Sequence, residues 1–215
     1  MKRVVIWLAL LTLAACGGDD NAGAPPPPSQ PAPAGRSTQA EPQVSLAPGC
    51  QTPIRNCMQQ RKTPPPTVID PSKSYSATIR TAKGDFVVKL DPKAAPVTVN
   101  NFVYLAQNHF YDGLTFHRVE PGFVVQGGDP NGDGRGGPGY KLPNETNPAP
   151  WVKGSLGMAS SPDGVNGSQF FVLLGDAPHL ANSGAYNHFG SVVSGAEVVA
   201  ALRPGDRINS IVVSQ

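Results

Sequence analysis

The chain has 215 residues, is rich in glycine and proline with 24 of each, and carries a formal net charge of +2 at pH 7. Two basic residues, Lys2 and Arg3, lie in a terminal segment that we expect to be removed, so the mature chain is close to neutral. No block of Lys and Arg and no basic-aromatic run interrupts the sequence. This pattern excludes an extended nucleic-acid surface, and we expect no nucleic-acid partner.

Residues 1–15 have the pattern of an export signal. Lys2 and Arg3 precede an apolar run over residues 4–13, which ends in the small residues Ala14 and Ala15. A run of this length is too short to span a bilayer as a permanent helix. We therefore predict that it directs export and is then cleaved.

The cleavage region, Leu13-Ala14-Ala15-Cys16, resembles a bacterial lipobox. The resemblance implies that Cys16 becomes the first mature residue and carries lipid, including palmitate, which anchors stably because several acyl chains act together. Gly17, in place of Asp, implies the outer rather than the inner membrane, with the folded part in the periplasm. The alternative is an ordinary signal peptide with an incidental cysteine.

Residues 16–73 are predicted to form a disordered, lipidated tether. They are rich in Pro, Ala, Gly, Ser and Gln and include proline runs at residues 25–28 and 64–66. Such sequence buries too little apolar surface to offset its ordering entropy, and its prolines favour extended conformers. Recognition of these prolines by another protein is a second possibility.

Cys50 and Cys57 remain after Cys16 is assigned to lipid. Export permits a disulfide between them, whereas a metal site would need further ligands nearby. We favour a small disulfide loop, and two free thiols remain an alternative. We expect no metal site.

Residues 74–215 are predicted to form one folded domain, which opens with two β-prone runs at residues 75–81 and 85–90. Ala82-Lys83-Gly84 separates the runs, and apolar residues alternate with charged ones in both. This pattern is typical of half-buried strands joined by a tight turn, which indicates a hairpin.

A helix is predicted to follow from Pro96. Pro suits the first helical position, and Thr98 is a candidate cap. Four apolar residues are spaced so that they form one face of this helix: Val99, Phe102, Val103 and Ala106.

Short apolar runs separated by glycine and proline occupy most of the rest: residues 116–119, 123–126, 156–159, 170–174, 189–193 and 208–213. Residues 196–202 indicate a second short helix. Many short strands with such connections favour an antiparallel sheet, closed as a barrel or stacked as a sandwich.

Residues 116–129, Phe-His-Arg-Val-Glu-Pro-Gly-Phe-Val-Val-Gln-Gly-Gly-Asp, carry the most specific pattern. They place a cation, Arg118, beside an apolar ring, Phe123, and a neutral amide, Gln126. No nucleophile or metal-ligand cluster accompanies them. This set suits binding and twisting a peptide bond better than cleaving one.

The same segment resembles the signature of the cyclophilin-type peptidyl-prolyl isomerases, as do residues 167–171 (Gly-Ser-Gln-Phe-Phe) and 189–195 (Phe-Gly-Ser-Val-Val-Ser-Gly). The resemblance covers residues 74–214. It implies a mainly β fold, a closed eight-stranded antiparallel barrel capped by two α-helices, in a monomer. It also implies cis-trans isomerisation of X-Pro bonds in unfolded or partly folded exported polypeptides, with no cofactor. A proline-peptide-binding chaperone or scaffold is the alternative.

Arg118 is the candidate catalytic donor. In the twisted transition state the proline nitrogen regains its lone pair, so a donor aimed at that nitrogen binds the transition state better than the planar ground states. A guanidinium is always charged and presents fixed donors.

The resemblance also implies a substrate groove. Phe123 and Gln126 would act with Arg118, with Phe123, Phe171 and Leu180 forming the slot for the proline ring. The groove would be completed by Val124, Ala159, Ser160 and Gln169. His179 stands where many eukaryotic members have a pocket Trp, and Tyr186 where they have a pocket His, which puts cyclosporin sensitivity in doubt.

Two further expectations concern local geometry. If residues 116–119 form a strand, His117 and Arg118 point to opposite faces, which makes His117 a buried, hydrogen-bonded residue outside the groove. Phe123 and Gln126 have opposite strand parity, so a bend near Pro121-Gly122 is required. Residues 129–134 resemble the start of a calcium loop, but Tyr140 stands where the loop needs Glu, and we predict a glycine-rich turn.

Overall fold

The computed structural model describes residue 59 and residues 61–215. The predicted signal, Cys16, Cys50 and Cys57 lie outside the described residues. Within residues 59 and 61–215, no helix combines the length and the apolar character that crossing a bilayer requires.

The domain is built on one antiparallel sheet of nine strands. Eight of them follow the order β3-β4-β7-β6-β8-β2-β1-β9, and β5 pairs with β7. The predicted hairpin is confirmed, because β1 and β2 pair along their whole length. The strands are β1 (Tyr75–Thr81), β2 (Gly84–Leu90), β3 (Arg118–Glu120), β4 (Val124–Gly127), β5 (Lys141–Leu142), β6 (Ser155–Ser161), β7 (Gly164–Leu173), β8 (His188–Ser194) and β9 (Ile208–Ser214).

The expected closed barrel is wrong, because the sheet is an open, strongly curled half-barrel. Its two end strands, β3 and β9, are not neighbours in the strand order. Residues 113–116, which precede β3, make backbone hydrogen bonds to residues 205–208, and Thr115 forms isolated bridges to Asp129 and Arg207. These contacts do not form the continuous strand ladder that closure of a barrel requires.

Among the described residues, three helices accompany the sheet: α1 (Pro96–Gln107), α2 (His179–Ser183) and α3 (Ala196–Ala201). The predicted helices correspond to α1 and α3, whereas α2 was not predicted. Pro96 occupies the first turn of α1 as expected, but Thr98 does not cap it. Glu145 instead accepts from the backbone N–H groups of Val97 and Thr98, both at 2.8 Å.

The core is aromatic and lies between α1 and the sheet. Phe102 of α1 contacts Phe170 edge-on at a centroid distance of 5.7 Å, and Phe170 in turn contacts Tyr111 and Phe116. These rings are fully buried. Because Phe170 fills this core, its neighbour Phe171 on β7 points to the other face of the sheet.

Part of the predicted tether contacts the domain. The Asn100 side chain accepts from the backbone N–H groups of Val68 and Ile69 at 2.7 and 3.3 Å, and donates to the carbonyl of Pro66 at 3.0 Å. The Arg61 guanidinium lies 5.4 Å from the Tyr104 ring centroid. This part of the predicted tether, within residues 61–70, therefore lies against α1.

Candidate active site

Strand register places the predicted groove residues in one row. Arg118 on β3 is opposite Gln126 on β4, Gln126 is opposite Phe171 on β7, and Phe171 is opposite Gly157 on β6. Residues directly opposite in adjacent strands project to the same face of the sheet. Three residues that are far apart in sequence therefore share one face.

The predicted bend brings Phe123 to the same face. Residues 121–123 form the turn between β3 and β4, in which Gly122 has φ +76° and the N–H of Phe123 donates to the carbonyl of Glu120 at 3.0 Å. Positive φ favours glycine at this position. Since Phe123 precedes β4, strand alternation does not set its direction.

The Arg118 side chain is oriented by its neighbours. Nε and Nη2 donate to Oε1 of Glu120 at 2.9 and 2.7 Å, and Nη1 donates to Oε1 of Gln126 at 3.2 Å. The guanidinium carbon lies 5.8 Å from the Phe123 ring centroid. Because the ion pair is about half exposed, it adds little stability and mainly fixes the direction of the guanidinium.

Gln169 lies behind Gln126. Gln126 Nε2 donates to Gln169 Oε1 at 2.9 Å, while Gln169 Nε2 donates to the carbonyls of Gly134 and Gly136 at 3.0 and 2.8 Å. The Gln169 side chain is buried and lines a cavity of about 270 Å³. It links the strand row to the loop after β4.

A cavity of about 450 Å³ opens over the row. Two predicted groove residues, Gln169 and His179, do not line this cavity. The His179 side chain is exposed, and its ring centroid lies 5.9 Å from that of Phe123. The predicted residues that line the cavity are Arg118, Phe123, Val124, Gln126, Ala159, Ser160, Phe171, Leu180 and Tyr186.

The apolar side of the cavity belongs to a second hydrophobic cluster, separate from the main core. Phe171, Leu180 and Val124 are among its buried members, and Phe123 and Tyr186 pack against it. The cluster also contains Trp151, which sequence reasoning missed. The only sequence signal for Trp151 is a lone aromatic between Pro150 and Val152 in a proline-rich loop.

The expectation that His117 lies outside the groove is wrong. β3 begins at Arg118, so alternation does not separate the two residues, and both line the cavity. Neither ring nitrogen of His117 has a hydrogen-bond partner among the described residues. Burial lowers the pKa of His117, an effect that the nearby charge of Asp129 opposes. His117 is therefore a half-buried neutral ring at the edge of the groove.

Residues 129–134 form a loop organised by Asp129. Its carboxylate accepts from the backbone N–H groups of Asn131, Asp133 and Gly134, and its side chain is buried. These bonds use both carboxylate oxygens to shape the turn. Across the described part of the chain, no three His, Cys, Asp or Glu residues are grouped to hold a metal.

The fold is that of a cyclophilin type peptidyl-prolyl cis-trans isomerase. The model of the family described as cyclophilin type peptidyl-prolyl cis-trans isomerase/CLD matches residues 76–213. The chain belongs to this family and is a peptidyl-prolyl cis-trans isomerase.

Curated relatives support the assignment. The chain is 48% identical to a peptidyl-prolyl cis-trans isomerase of Synechococcus elongatus over 137 residues, which are 63% of this chain and 93% of the relative. It is 49% identical over 125 residues to peptidyl-prolyl cis-trans isomerase B of Bacillus subtilis, covering 57% and 86% of the two chains.

Solved structures show the same fold. A cyclophilin type peptidyl-prolyl cis-trans isomerase of Cryptosporidium parvum superposes with a TM-score of 0.62 at 31% identity, over 66% of this chain and 99% of the other. A second structure of that protein, solved in the presence of the dipeptide Ala-Pro, gives a TM-score of 0.60 at 32% identity over 65% and 99%.

Proposed function

We propose that this isomerase acts on X-Pro bonds of exported, unfolded or partly folded polypeptides in the bacterial cell envelope, with Arg118 as the catalytic donor. The observation that carries the proposal is the row of Arg118, Gln126 and Phe171 under one cavity. A cation, an amide and an apolar ring in this order match the three parts of an X-Pro unit: the twisting bond, the flanking backbone and the proline ring.

The mechanism is differential binding. The barrier to X-Pro rotation is about 20 kcal/mol, because resonance gives the peptide bond partial double-bond character. The Arg118 guanidinium donates to the proline nitrogen once twisting restores its lone pair, and so favours the twisted state. No covalent bond forms or breaks, so the reaction needs no nucleophile and no cofactor.

The other groove residues hold the substrate in place. The proline ring fits between Phe123, Phe171 and Leu180, and Gln126 hydrogen-bonds the substrate backbone while Gln169 holds Gln126. Val124, Ala159 and Ser160 extend the groove for residues before the proline. His179 and Tyr186 border the slot.

Anchoring is proposed from the sequence of residues 1–16. Cys16 carries the lipid, residues from Gly17 form the tether, and the monomeric domain acts in the periplasm from the outer membrane. In cells fed labelled palmitate, Cys16→Ser should lose the label and leave the membrane fraction. Cys50→Ser is the control and should keep both, and a membrane-bound Cys16→Ser protein would contradict the lipid anchor.

The proposed enzymatic role is tested in a strain with an envelope folding defect caused by loss of this protein. Wild-type protein should restore folding, and Arg118→Ala, expressed at equal level, should not. Rescue by the inactive variant would overturn the proposal in favour of a chaperone or scaffold that binds proline segments without needing turnover.

A further inference from the structure

Trp151 lies directly beneath the apolar side of the groove. Its indole ring stacks on the Phe171 ring at a centroid distance of 5.6 Å and an interplanar angle of 22°. It also meets the Tyr186 ring edge-on at 6.3 Å, and Phe171 and Tyr186 meet edge-on at 5.7 Å. Phe171 and Tyr186 line the cavity, whereas Trp151 does not and is only 5% exposed.

The backbone of β6 closes the other side of this aromatic group. A Cβ atom at Gly157 would lie 2.5 Å from Cζ of Phe171 and 2.7 Å from Cη2 of Trp151. Both rings therefore press against a strand that has no side chain at this point. Phe171 is held between this backbone, Trp151 and Tyr186, which leaves it little freedom to rotate.

Trp151 is itself fixed on its remaining sides. Its carbonyl accepts from the N–H of Ala177 at 2.9 Å, next to α2. The Ser155 hydroxyl accepts from the N–H of Val152 and donates to the carbonyl of Pro150, which ties both neighbours of Trp151 to the start of β6. The His188 ring meets the indole at 4.9 Å and 73°.

We propose that Trp151 is a positioning residue that sets the affinity of the groove for the proline ring by holding Phe171 and Tyr186 in place. The inference rests on the proposed seating of the proline ring against Phe171. Trp151 touches neither the twisting bond nor Arg118. Its loss therefore weakens binding of ground state and transition state alike and leaves turnover of bound substrate nearly unchanged.

The first test measures peptide affinity and turnover separately, by NMR on the full chain with an Ala-Ala-Pro-Phe peptide. Trp151→Leu should raise the peptide dissociation constant about tenfold while the exchange rate at saturation stays within about twofold. Trp151→Phe keeps a stacking ring and should restore most of the affinity. Unchanged affinity in Trp151→Leu would overturn the inference.

The second test keeps Trp151 in place and therefore does not depend on whether a Trp151 variant folds. Trp7 and Trp151 are the two tryptophans of the chain. Trp7 lies in the predicted signal, so Trp151 is the single emitter once the signal is cleaved, and Trp7→Phe makes it the single emitter in the uncleaved chain. Its emission should change on titration with the same peptide and saturate with the dissociation constant found by NMR. Emission that is unchanged at saturating peptide would overturn the inference.

Phe171→Ala separates failure of the inference from failure of the proposed groove. If Phe171→Ala weakens peptide binding and Trp151→Leu does not, only the role of Trp151 is wrong. If Phe171→Ala also leaves affinity unchanged, the seating of the proline ring is wrong and the inference falls with it.

Discussion

At the residue scale, the groove depends on side chains that hold other side chains. Arg118 is directed by Glu120 and Gln126, and Gln126 is directed by Gln169. A catalytic donor is effective only when it is held close to its productive geometry, and the chain achieves this with a relay of hydrogen bonds from the buried Gln169 outwards.

Gln169→Leu should damage both stability and catalysis. The change removes the donor to the carbonyls of Gly134 and Gly136 and releases Gln126. Since buried polar groups would lose their partners, we expect a loss of about 1–3 kcal/mol in unfolding free energy. The peptide exchange rate should fall as well, because Gln126 and Arg118 are less well directed.

Chemical denaturation and NMR exchange measure these two effects. Gln107→Leu, at the exposed end of α1, is the control and should change neither quantity. A Gln169→Leu protein with wild-type stability would contradict the buried network, and one with wild-type exchange would contradict the link to Arg118.

At the element scale, α1 begins where a distant residue caps it. Glu145 accepts from the N–H groups of Val97 and Thr98 at 2.8 Å and from the Thr98 hydroxyl at 2.6 Å. A carboxylate here satisfies free backbone donors and interacts favourably with the helix dipole. Asn187 joins the network, since its amide donates to the Thr98 hydroxyl at 2.8 Å.

Glu145→Ala should therefore lower the unfolding free energy by about 1–2 kcal/mol, because two helix N–H groups and a buried hydroxyl lose their acceptor. Chemical denaturation measures the change. Asp163→Ala, an exposed carboxylate in the turn between β6 and β7, should stay within about 0.5 kcal/mol of wild type. Equal stability of the two variants would show that the cap contributes nothing.

Local patterns predicted the elements whose causes are local. The periodicity after Pro96 predicted α1, the alternation around Gly84 predicted the β1–β2 hairpin, and parity predicted the bend at Gly122. The cap from Glu145 could not be predicted, because it is a contact across 47 positions of sequence. His117 was placed wrongly because β3 begins at Arg118, two residues later than the apolar pattern suggests.

At the scale of the whole molecule, the family resemblance predicted most of the residues that line the cavity, but it wrongly included Gln169 and His179, left out His117, and did not predict what supports the groove. Trp151 lies outside the three signature segments, and its contact with Phe171 arises only when the loop before β6 folds against β7. The open sheet was also not predicted, because closure depends on whether a few bridges around Thr115 extend into a ladder.

Two half-buried histidines should make stability depend on pH. Burial lowers the pKa of His117 and of His188 below the usual value of about 6.5. As the pH falls through about 6.5, the unfolded chain takes up protons that the folded chain does not, so the unfolding free energy falls with decreasing pH. The contribution of the two histidines to the unfolding free energy should be greatest above about pH 6.5 and should be lost as the pH drops towards the lowered pKa values.

Chemical denaturation at about pH 7.5 and about pH 5, on either side of the usual histidine pKa, should reveal this dependence of the unfolding free energy on pH. His117→Gln and His188→Gln should each reduce the dependence, and the exposed His179→Gln is the matched control. Stability that increases on acidification in this range would contradict the assignment of both rings as neutral in the folded state.

The central claim, that Arg118 lowers the barrier to X-Pro rotation, is tested most directly by isomerase turnover of the full chain. In an NMR exchange assay on a proline peptide, Arg118→Ala should lower kcat/KM by about 100-fold or more, because the donor to the proline nitrogen is lost. Arg80→Ala removes an exposed arginine paired with Asp85 and should keep wild-type turnover. An Arg118→Ala protein that retains most of the wild-type turnover would contradict the account.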